Sequence, residues 1–510
     1  MRKLLVLALA AGLLPPAATA ARRKISRAEL RDRIEGGWAG QMIGVSFGAP
    51  TEFRFNQKVV PPDRLKWTPD MVSNSLDQDD LYVDMTFAKV LDEKGLDATS
   101  ADFGAMLRDA KYRLWHANLS ARRALKRGIP AGESGSPKFN AHANDIDFQI
   151  ESDFIGLMTP GLPQSANRIA LRAGRVVNTG DGIIGGMFMS GMYSAAFFES
   201  NPRKVVEQGL ESIPPQSPYA KVIADVLAWS KQYPADWEKV WGMVNEKWDK
   251  REPCPEGALL PFNIDAKLNG AYVALGLLYG QGDFGKTVEF ATRGGQDSDC
   301  NPANAGGIIG VMLGYRGIPD QWKSGIPAIA EKKFSYTDFN FHEIVDSTEK
   351  RALALIRATG GKVDGESAEI AVQTPKPIEV PLWDDYGSPV ERIAHSDPRW
   401  QWKGDWRVAP RNRIASAAGS EASIAFEGTG AILTGTLLPK GGTATVYLDG
   451  KLDRTVDVCS DERDNRNTES VWHIFGLPNG RHTVRLVVEG KPGPGSDRTD
   501  VAIEGLVTFR

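Results

Sequence analysis

The 510-residue chain has only three cysteines, too few for the disulfide framework that holds small exported domains together. At most one bridge is possible. Cys254 and Cys300 fall in one domain and are the pair that would form it, with two separate buried thiols as the competing reading. Past Leu14 no apolar run approaches the roughly 18 to 20 residues that a membrane-spanning helix needs. An excess of charge is missing as well. The 61 Lys and Arg against 64 Asp and Glu leave a net charge of −3, so the composition favours neither nucleic acid nor an anionic membrane as partner. Internal repeats, low-complexity tracts and a nucleotide-binding glycine fingerprint are also lacking. What is present is 42% apolar and 25% charged residues, enough for a sizeable core in two or three domains.

Residues 1–20 begin with Arg2 and Lys3, run apolar from Leu4 to Leu14 and end in Ala18-Thr19-Ala20, the small-x-small pattern of a cleaved signal peptide. Export to the periplasm or the extracellular space is expected, without stable membrane insertion. No cysteine stands near the cleavage point to carry a lipid anchor.

From 25 to 357 apolar residues recur at i, i+3, i+4 and i+7 between Gly, Pro and Asp/Asn clusters, which predicts an all-α domain. Helices are expected over 81–92, 101–116, 185–199, 219–232, 237–249 and 264–278. Many are rich in Gly and Ala, which lets helix axes approach closely. Residues 358–382, with Gly360-Gly361 and Pro375-Lys376-Pro377, read as a linker or extended strap. From 383 to 510 the period changes to two, in segments such as Thr443 to Leu448 and His482 to Val488 separated by Gly-rich turns. That pattern predicts a β-sandwich of jelly-roll type.

The helical domain carries four clusters with chemical potential. Gly48-Ala49-Pro50-Thr51-Glu52 ends a helix in a Gly-rich segment that delivers a glutamate. Asp77-Gln78-Asp79-Asp80 opens a helix, where one aspartate is explained as a cap but three acids in four residues repel one another unless a cation is near. The stretch from His142 to Asp153 places Asp147, Glu151 and Asp153 among apolar residues and is followed by the loop Asn178-Thr179-Gly180-Asp181-Gly182, whose backbone N–H groups would suit a phosphate or sugar hydroxyl. The fourth, Gln296-Asp297-Ser298-Asp299-Cys300-Asn301-Pro302, sets two carboxylates one residue apart before an apolar helix. Capping by Asp299 or Asn301 with Pro302 in the first turn explains part of it, but not Asp297 or Gly294-Gly295. Hard divalent cations take carboxylate oxygens converging from separate parts of a chain, so the second and fourth clusters read as two halves of one metal site.

These residues resemble the motifs of the ADP-ribosylglycohydrolase family, over about residues 30 to 320. The Gly-Ala-x-x-Glu segment corresponds to Gly48 to Glu52, the Thr-Asp-Asp-Thr motif to Gln78 to Leu81, and the Gly-Asp-x-Asp-Thr-Asn motif to Gln296 to Asn301. The resemblance implies a helical fold in which Asp79, Asp80, Asp297 and Asp299 hold one or two Mg²⁺ ions with Glu52 near the scissile bond. Three departures stand out. Gln78 replaces a ligating threonine, Cys300 replaces another and is a poor ligand for a hard cation, and Val45 replaces a frequent aspartate. One metal is therefore expected over two, with Ca²⁺ or Mn²⁺ as alternatives.

The expected chemistry is hydrolysis of an N- or O-glycosidic bond in a pentofuranoside or ADP-ribose-like group, with Glu52 as base or acid and Asp147, Glu151 and Asp153 as further catalytic candidates. Gln78, Asp79, Asp80, Asp297 and Asp299 are the metal candidates; Asn178, Gly180, Asp181, Gly182 and His142 are the substrate-binding ones. The sandwich resembles galactose-binding-like modules, and Trp400, Trp402 and Trp406 would serve either as a sugar-stacking platform or as packing. A rival reading is a non-catalytic protein that binds a glycan or nucleotide sugar and keeps a structural cation.

Overall fold

The computed structural model describes residues 21–249 and 253–510; the leader-like segment 1–20 lies outside them. A seam of small residues organises the helical domain. Helix Arg27–Gly48 starts at Ser26, whose hydroxyl accepts from the Glu29 N–H, and lies antiparallel against helix Cys300–Leu313. Gly36, Gly40, Gly44 and Gly48 face Gly310, Gly306, Pro302 and Ser298 in turn. Four residues forward on one helix match four back on the other, so one face of each stays in register along the whole contact. At Gly40 a β-carbon would stand 1.9 Å from the Gly306 carbonyl oxygen, and only glycine permits that approach. The seam carries the end of the first helix, and with it Glu52, to the mouth of the second, where Asp297 and Asp299 stand. Gly40→Ala is expected to force the helices apart and cost about 3 kcal/mol, the upper end for overpacking, read as a fall in denaturant midpoint.

Helices Asp181–Ala196 and Ala266–Gly280 are buried along their whole length, as expected of helices apolar on all sides. The expected helix over 101–116 is instead broken. A capping box between Thr99 and Asp102 starts helix Ser100–Asp109, and a second helix, His116–Lys126, follows after an extended stretch. Its N-terminus is capped from outside: the Asp147 carboxylate accepts from the N–H groups of Ala117 (3.3 Å) and Asn118 (2.9 Å). A cap supplied from a distant loop leaves no local signal.

The expected linker also carries structure. Ser367–Ala371 pairs antiparallel with Arg22–Ser26 and with Lys362–Val363, and Ile25, Ala368 and Ile370 bury the face of this small sheet. Residues beyond it form a strap, on which Trp383 and Tyr386 pack against Ala143 and Phe475.

The C-terminal region is a two-sheet antiparallel sandwich. One sheet orders strands 451–457, 442–448, 480–492, 421–428 and 401–403; the other orders 466–474, 430–437, 501–509, 413–415 and 407–408, with 389–394 also on 501–509. Trp400 and Trp406 are buried in its core, and the Arg413 guanidinium lies over the Trp402 ring at 4.8 Å. Of the two tryptophan roles, packing is the one present. The cysteine sulfurs form no disulfide among the described residues, and no described helix is long and apolar enough to cross a membrane.

The sandwich is docked on the helical domain through helix His116–Lys126. Arg122 pairs with Glu462, Arg127 reaches Asp457 (2.5 Å) and Asp461 (2.7 Å), and Arg123 donates to the carbonyls of Cys459 and Asp457. Arg392 donates to the carbonyls of Pro255 and Ala258, and Ala258 is buried among Ile432, Val507 and Phe509. The chain around Cys254 to Phe262 is therefore held between the sandwich and the helical core.

Candidate active site

The acidic floor forms where the two helix mouths meet. Gly295 (φ +78) and Gln296 (φ +54) reverse the chain, and a β-carbon on Gly295 would stand 2.4 Å from the Phe55 carbonyl oxygen. The reversal lets the Phe53 N–H donate to the Gln296 carbonyl at 3.0 Å, while the Thr51 and Ser298 hydroxyls bond at 2.9 Å. Pinned in this way, carboxylate oxygens of Glu52, Asp297 and Asp299 all lie within 4.8 Å of one another. Helix Asp79–Lys94 brings Asp80 up from the other side, so that Asp80, Asp299 and the Cys300 sulfur also lie within 4.8 Å of one another. The Cys300 thiol donates to Asp80 at 3.4 Å. The thiol therefore ties the two halves of the floor together.

Burial and mutual repulsion set the electrostatics. Withdrawal from water, then Asp299, lifts Asp79 to about 6. Glu52 reaches solvent at the rim, yet partial desolvation, then Asp299 and Asp79, push it up to about 8. Asp80 and Asp297 are held well above the usual carboxylate range, first by burial and then by Asp299. One oxygen each on Asp80, Asp297 and Asp299 is buried without a hydrogen-bond partner. Buried carboxylate oxygens without donors are costly unless a cation satisfies them. The donor set fits a hard divalent cation: several carboxylates from separate segments, with the thiol already engaged as a donor. Gln78 caps the same helix mouth, and its amide nitrogen is turned back to Asn74 at 2.9 Å.

A second layer supports the floor. Asp153, lifted to about 8 by burial, accepts from the Asn304 amide at 3.0 Å, and its other oxygen is buried without a hydrogen-bond partner. Asp84 follows Asp80 one helical turn later and accepts from the Phe154 N–H at 3.1 Å. Glu151 is paired with the Asn118 amide, and its other oxygen has no partner.

The facing wall brings in residues the motif reading missed. His116 begins its helix at φ +41, a left-handed conformation uncommon outside glycine. Its Nε2 pairs with Glu256 at 2.8 Å, and its ring lies 5.8 Å from Phe262, which in turn stands 4.9 Å from Phe53, beside Glu52. Burial works against its charge, but Glu256 outweighs that and lifts the imidazole to about 9. A cationic imidazole and the Phe262–Phe53 ring pair thus stand on the Glu52 side of the carboxylate floor, and the His116 charge draws Glu52 down against the other causes. Asp84 was foreshadowed by its i+4 spacing from Asp80; nothing local to His116 or Glu256 announces their meeting.

The remaining expected residues lie away from the floor. Asn178 braces the Phe148 N–H and the carbonyls of Ala143 and Asp145. Around Gly180 and Gly182 the loop's N–H groups are spent internally: Thr179 donates to Ala143, Asp181 to the Asn144 side chain and Gly182 to Thr179. Trp383 of the strap closes over Gly180, and Asp181 faces Lys267 at 3.9 Å. The N–H groups of Thr179, Asp181 and Gly182 thus already have partners within the protein. His142 is buried between Asp145 and Glu469.

A family model described as ADP-ribosylglycohydrolase matches residues 26–355. Among solved structures, an ADP-ribosylglycohydrolase-related protein complex is 19% identical, covering 65% of this chain and 99% of its own at a TM-score of 0.38. A family two carbohydrate esterase from Cellvibrio japonicus is 17% identical over 23% of this chain and 33% of its own, TM-score 0.18. The CBM36-1 domain of a multidomain xylanase from the hindgut metagenome of Trinervitermes trinervoides is 13% identical over 23% of this chain and 94% of its own, TM-score 0.18. No curated protein matches significantly. With the family model spanning most of the helical domain and ending where that domain ends, this chain belongs to the ADP-ribosylglycohydrolase family.

Proposed function

We propose that the protein is an exported, metal-dependent glycoside hydrolase that cleaves an N- or O-glycosidic bond of a pentofuranoside or ADP-ribose-like group. The observation that carries this is the convergence of Glu52 with Asp297 and Asp299, beside Asp80, around buried oxygens that lack donors. In this reading Asp79, Asp80, Asp297 and Asp299 hold a divalent cation, Mg²⁺ above Ca²⁺ or Mn²⁺, and the Gln78 carbonyl is an auxiliary donor. A cation so bound would anchor sugar hydroxyls and make water more acidic. Glu52, at the rim, takes a proton from the water that attacks the anomeric carbon. His116, held by Glu256, gives a proton to the departing oxygen or nitrogen from the facing wall. The carboxylates stabilise the oxocarbenium-like state between the two proton transfers. Asp147 positions His116 by capping its helix, and Glu151 and Asp153 support the floor from below.

The test pairs calorimetric titration of the cation-free protein with Mg²⁺, Ca²⁺ and Mn²⁺ with a screen of ADP-ribosyl conjugates and nitrophenyl pentofuranosides. Turnover that depends on the cation supports the hydrolase; cation binding without turnover across the panel overturns it in favour of a binding protein.

The raised carboxylates also fix a pH dependence. Unfolded aspartate and glutamate titrate near about 4, whereas Asp79 and Glu52 titrate at about 6 and about 8 in the fold. Groups with raised folded values stabilise the fold at low pH and lose that contribution as pH rises through the folded values. The melting temperature of cation-free protein is therefore expected to fall between pH 5 and pH 8, relative to Asp299→Asn. Apparent Mg²⁺ affinity should rise over the same interval, since the cation displaces protons. A melting temperature insensitive to pH in both proteins would contradict this electrostatic account.

A further inference from the structure

A second constellation of ligating groups lies outside the acidic floor, at the seam between the domains. Ligand atoms of His142, Asp145 and Cys254 lie within 4.8 Å of one another, and all three residues are fully buried. His142 Nδ1 stands 2.7 Å from Asp145 Oδ2, its Nε2 stands 3.3 Å from Glu469 Oε2 on the sandwich, and the Cys254 thiol hydrogen-bonds the same imidazole. The other oxygen of Asp145 is buried with no hydrogen-bond partner. We infer that His142 through Nδ1, Asp145 and Cys254 form a site for a borderline-soft divalent cation of the zinc type, with Glu469 of the sandwich orienting the ring from its other nitrogen.

The donor chemistry separates this site from the floor. The floor offers carboxylate oxygens and suits a hard ion, whereas a set of imidazole, thiolate and carboxylate is what zinc takes. A dication takes a neutral ring nitrogen and a thiolate, so its binding is expected to release one proton from the ring and one from sulfur. His142 is held charged in the metal-free arrangement, because Asp145 and its other partners outweigh burial. A proton that bridges ring and carboxylate is thus what the metal replaces.

The site also has a mechanical consequence. Cys254 begins the segment that supplies Glu256 and Phe262 to the cleft wall, and its side chain packs with Ile146, Ile150, Ile264 and Cys300 beneath that wall. A metal bound to Cys254, His142 and Asp145 would fasten the wall to the helical domain, and Glu469 on the far ring nitrogen would link it to the sandwich.

Full-length protein, stripped of metal and then given saturating Mg²⁺ to fill the floor, is titrated with Co²⁺ and separately analysed for zinc after dialysis. The expected result is one equivalent of zinc, a thiolate-to-cobalt charge-transfer band in the near ultraviolet, and release of two protons per metal. The band should persist in Cys300→Ser and vanish in Cys254→Ser. Glu469→Gln, which leaves the sulfur in place, should weaken zinc about 10- to 100-fold. This variant keeps the test decisive if Cys254→Ser does not fold. Folded wild-type protein that takes up no zinc, or a band lost in Cys300→Ser instead, overturns the site and leaves the four groups as an ion-pair clamp.

Discussion

Asp299→Asn is expected to remove cation-dependent turnover and to make the cation-free protein more stable. Asp299 stands in both ligand clusters of the floor, with Glu52 and Asp297 on one side and with Asp80 and Cys300 on the other. Loss of an outer-sphere partner of a bound metal already costs about 10- to 100-fold, so removal of a shared ligand should lower kcat/KM by about a hundredfold or more and weaken Mg²⁺ at least as much. The stability effect has the opposite sign. The Asp299 charge is a leading cause of the raised values of Asp79, Asp80, Asp297 and Glu52. Neutralising it relieves repulsion that only a cation otherwise offsets, so the melting temperature of the cation-free variant should exceed that of wild type at pH 8. Calorimetry and thermal melts on the same samples check both halves. A variant that is inactive and also less stable would mean that Asp299 serves the fold first, as a helix cap.

Arg122→Ala is expected to destabilise the whole molecule by about 3 to 5 kcal/mol, the cost of stranding one member of a buried ion pair. Arg122 and Glu462 are 3% and 9% exposed at the side chain, and Arg122 also donates to the Tyr112 carbonyl at 2.7 Å. The Glu462 carboxylate would then lose its nearest charge in the interface between the domains, keeping only the Leu114 N–H at 3.1 Å and the more distant Arg466 at 3.7 Å. Replacing both, as Arg122→Met with Glu462→Leu, should recover most of the loss, since two apolar groups leave no buried charge. Denaturant unfolding followed by tryptophan fluorescence reads the difference, and a single transition in wild type would show the domains melting together. If Arg122→Ala changes stability by less than about 1 kcal/mol, the pair behaves as a solvated surface bridge and the docking rests on the apolar contacts around Ala258.

Those contacts change what the C-terminal region is for. A period of two predicts a sandwich, but a pattern of alternating residues carries no information on what its ends touch. The expectation of an appended module joined by a linker or strap missed two things. Residues 367–371 pair with 22–26, and Glu469 reaches across to His142. Each is a contact between residues far apart in the chain.

Local signals were read well where the cause is local. The change from helical to alternating periodicity told the helical region from the β region, because that period reports which face of an element is buried. The Asp79-Asp80 and Asp297-x-Asp299 pairs stood out because like charges at a helix mouth need an explanation beyond capping, and their spacing carried the family resemblance. Helix limits moved by a few residues, and the helix expected over 101–116 ends at Asp109, the next one starting at His116 under the Asp147 carboxylate.

By itself, then, the sequence determined the two architectures, their order and the acidic motifs, since each depends on residues within a turn or two of one another. Packing decided the rest. The four-residue glycine steps along 36–48 and the small-residue steps Ser298, Pro302, Gly306 and Gly310 become a contact only when the helices lie antiparallel, and that contact puts Glu52 beside Asp299. The orphaned oxygens of Asp80, Asp297 and Asp299, the pairing of His116 with Glu256, and the His142, Asp145 and Cys254 cluster under Glu469 exist only in three dimensions. A carboxylate's chemistry is set by the charges and donors within a few ångströms, and chain folding chooses those neighbours from hundreds of residues away.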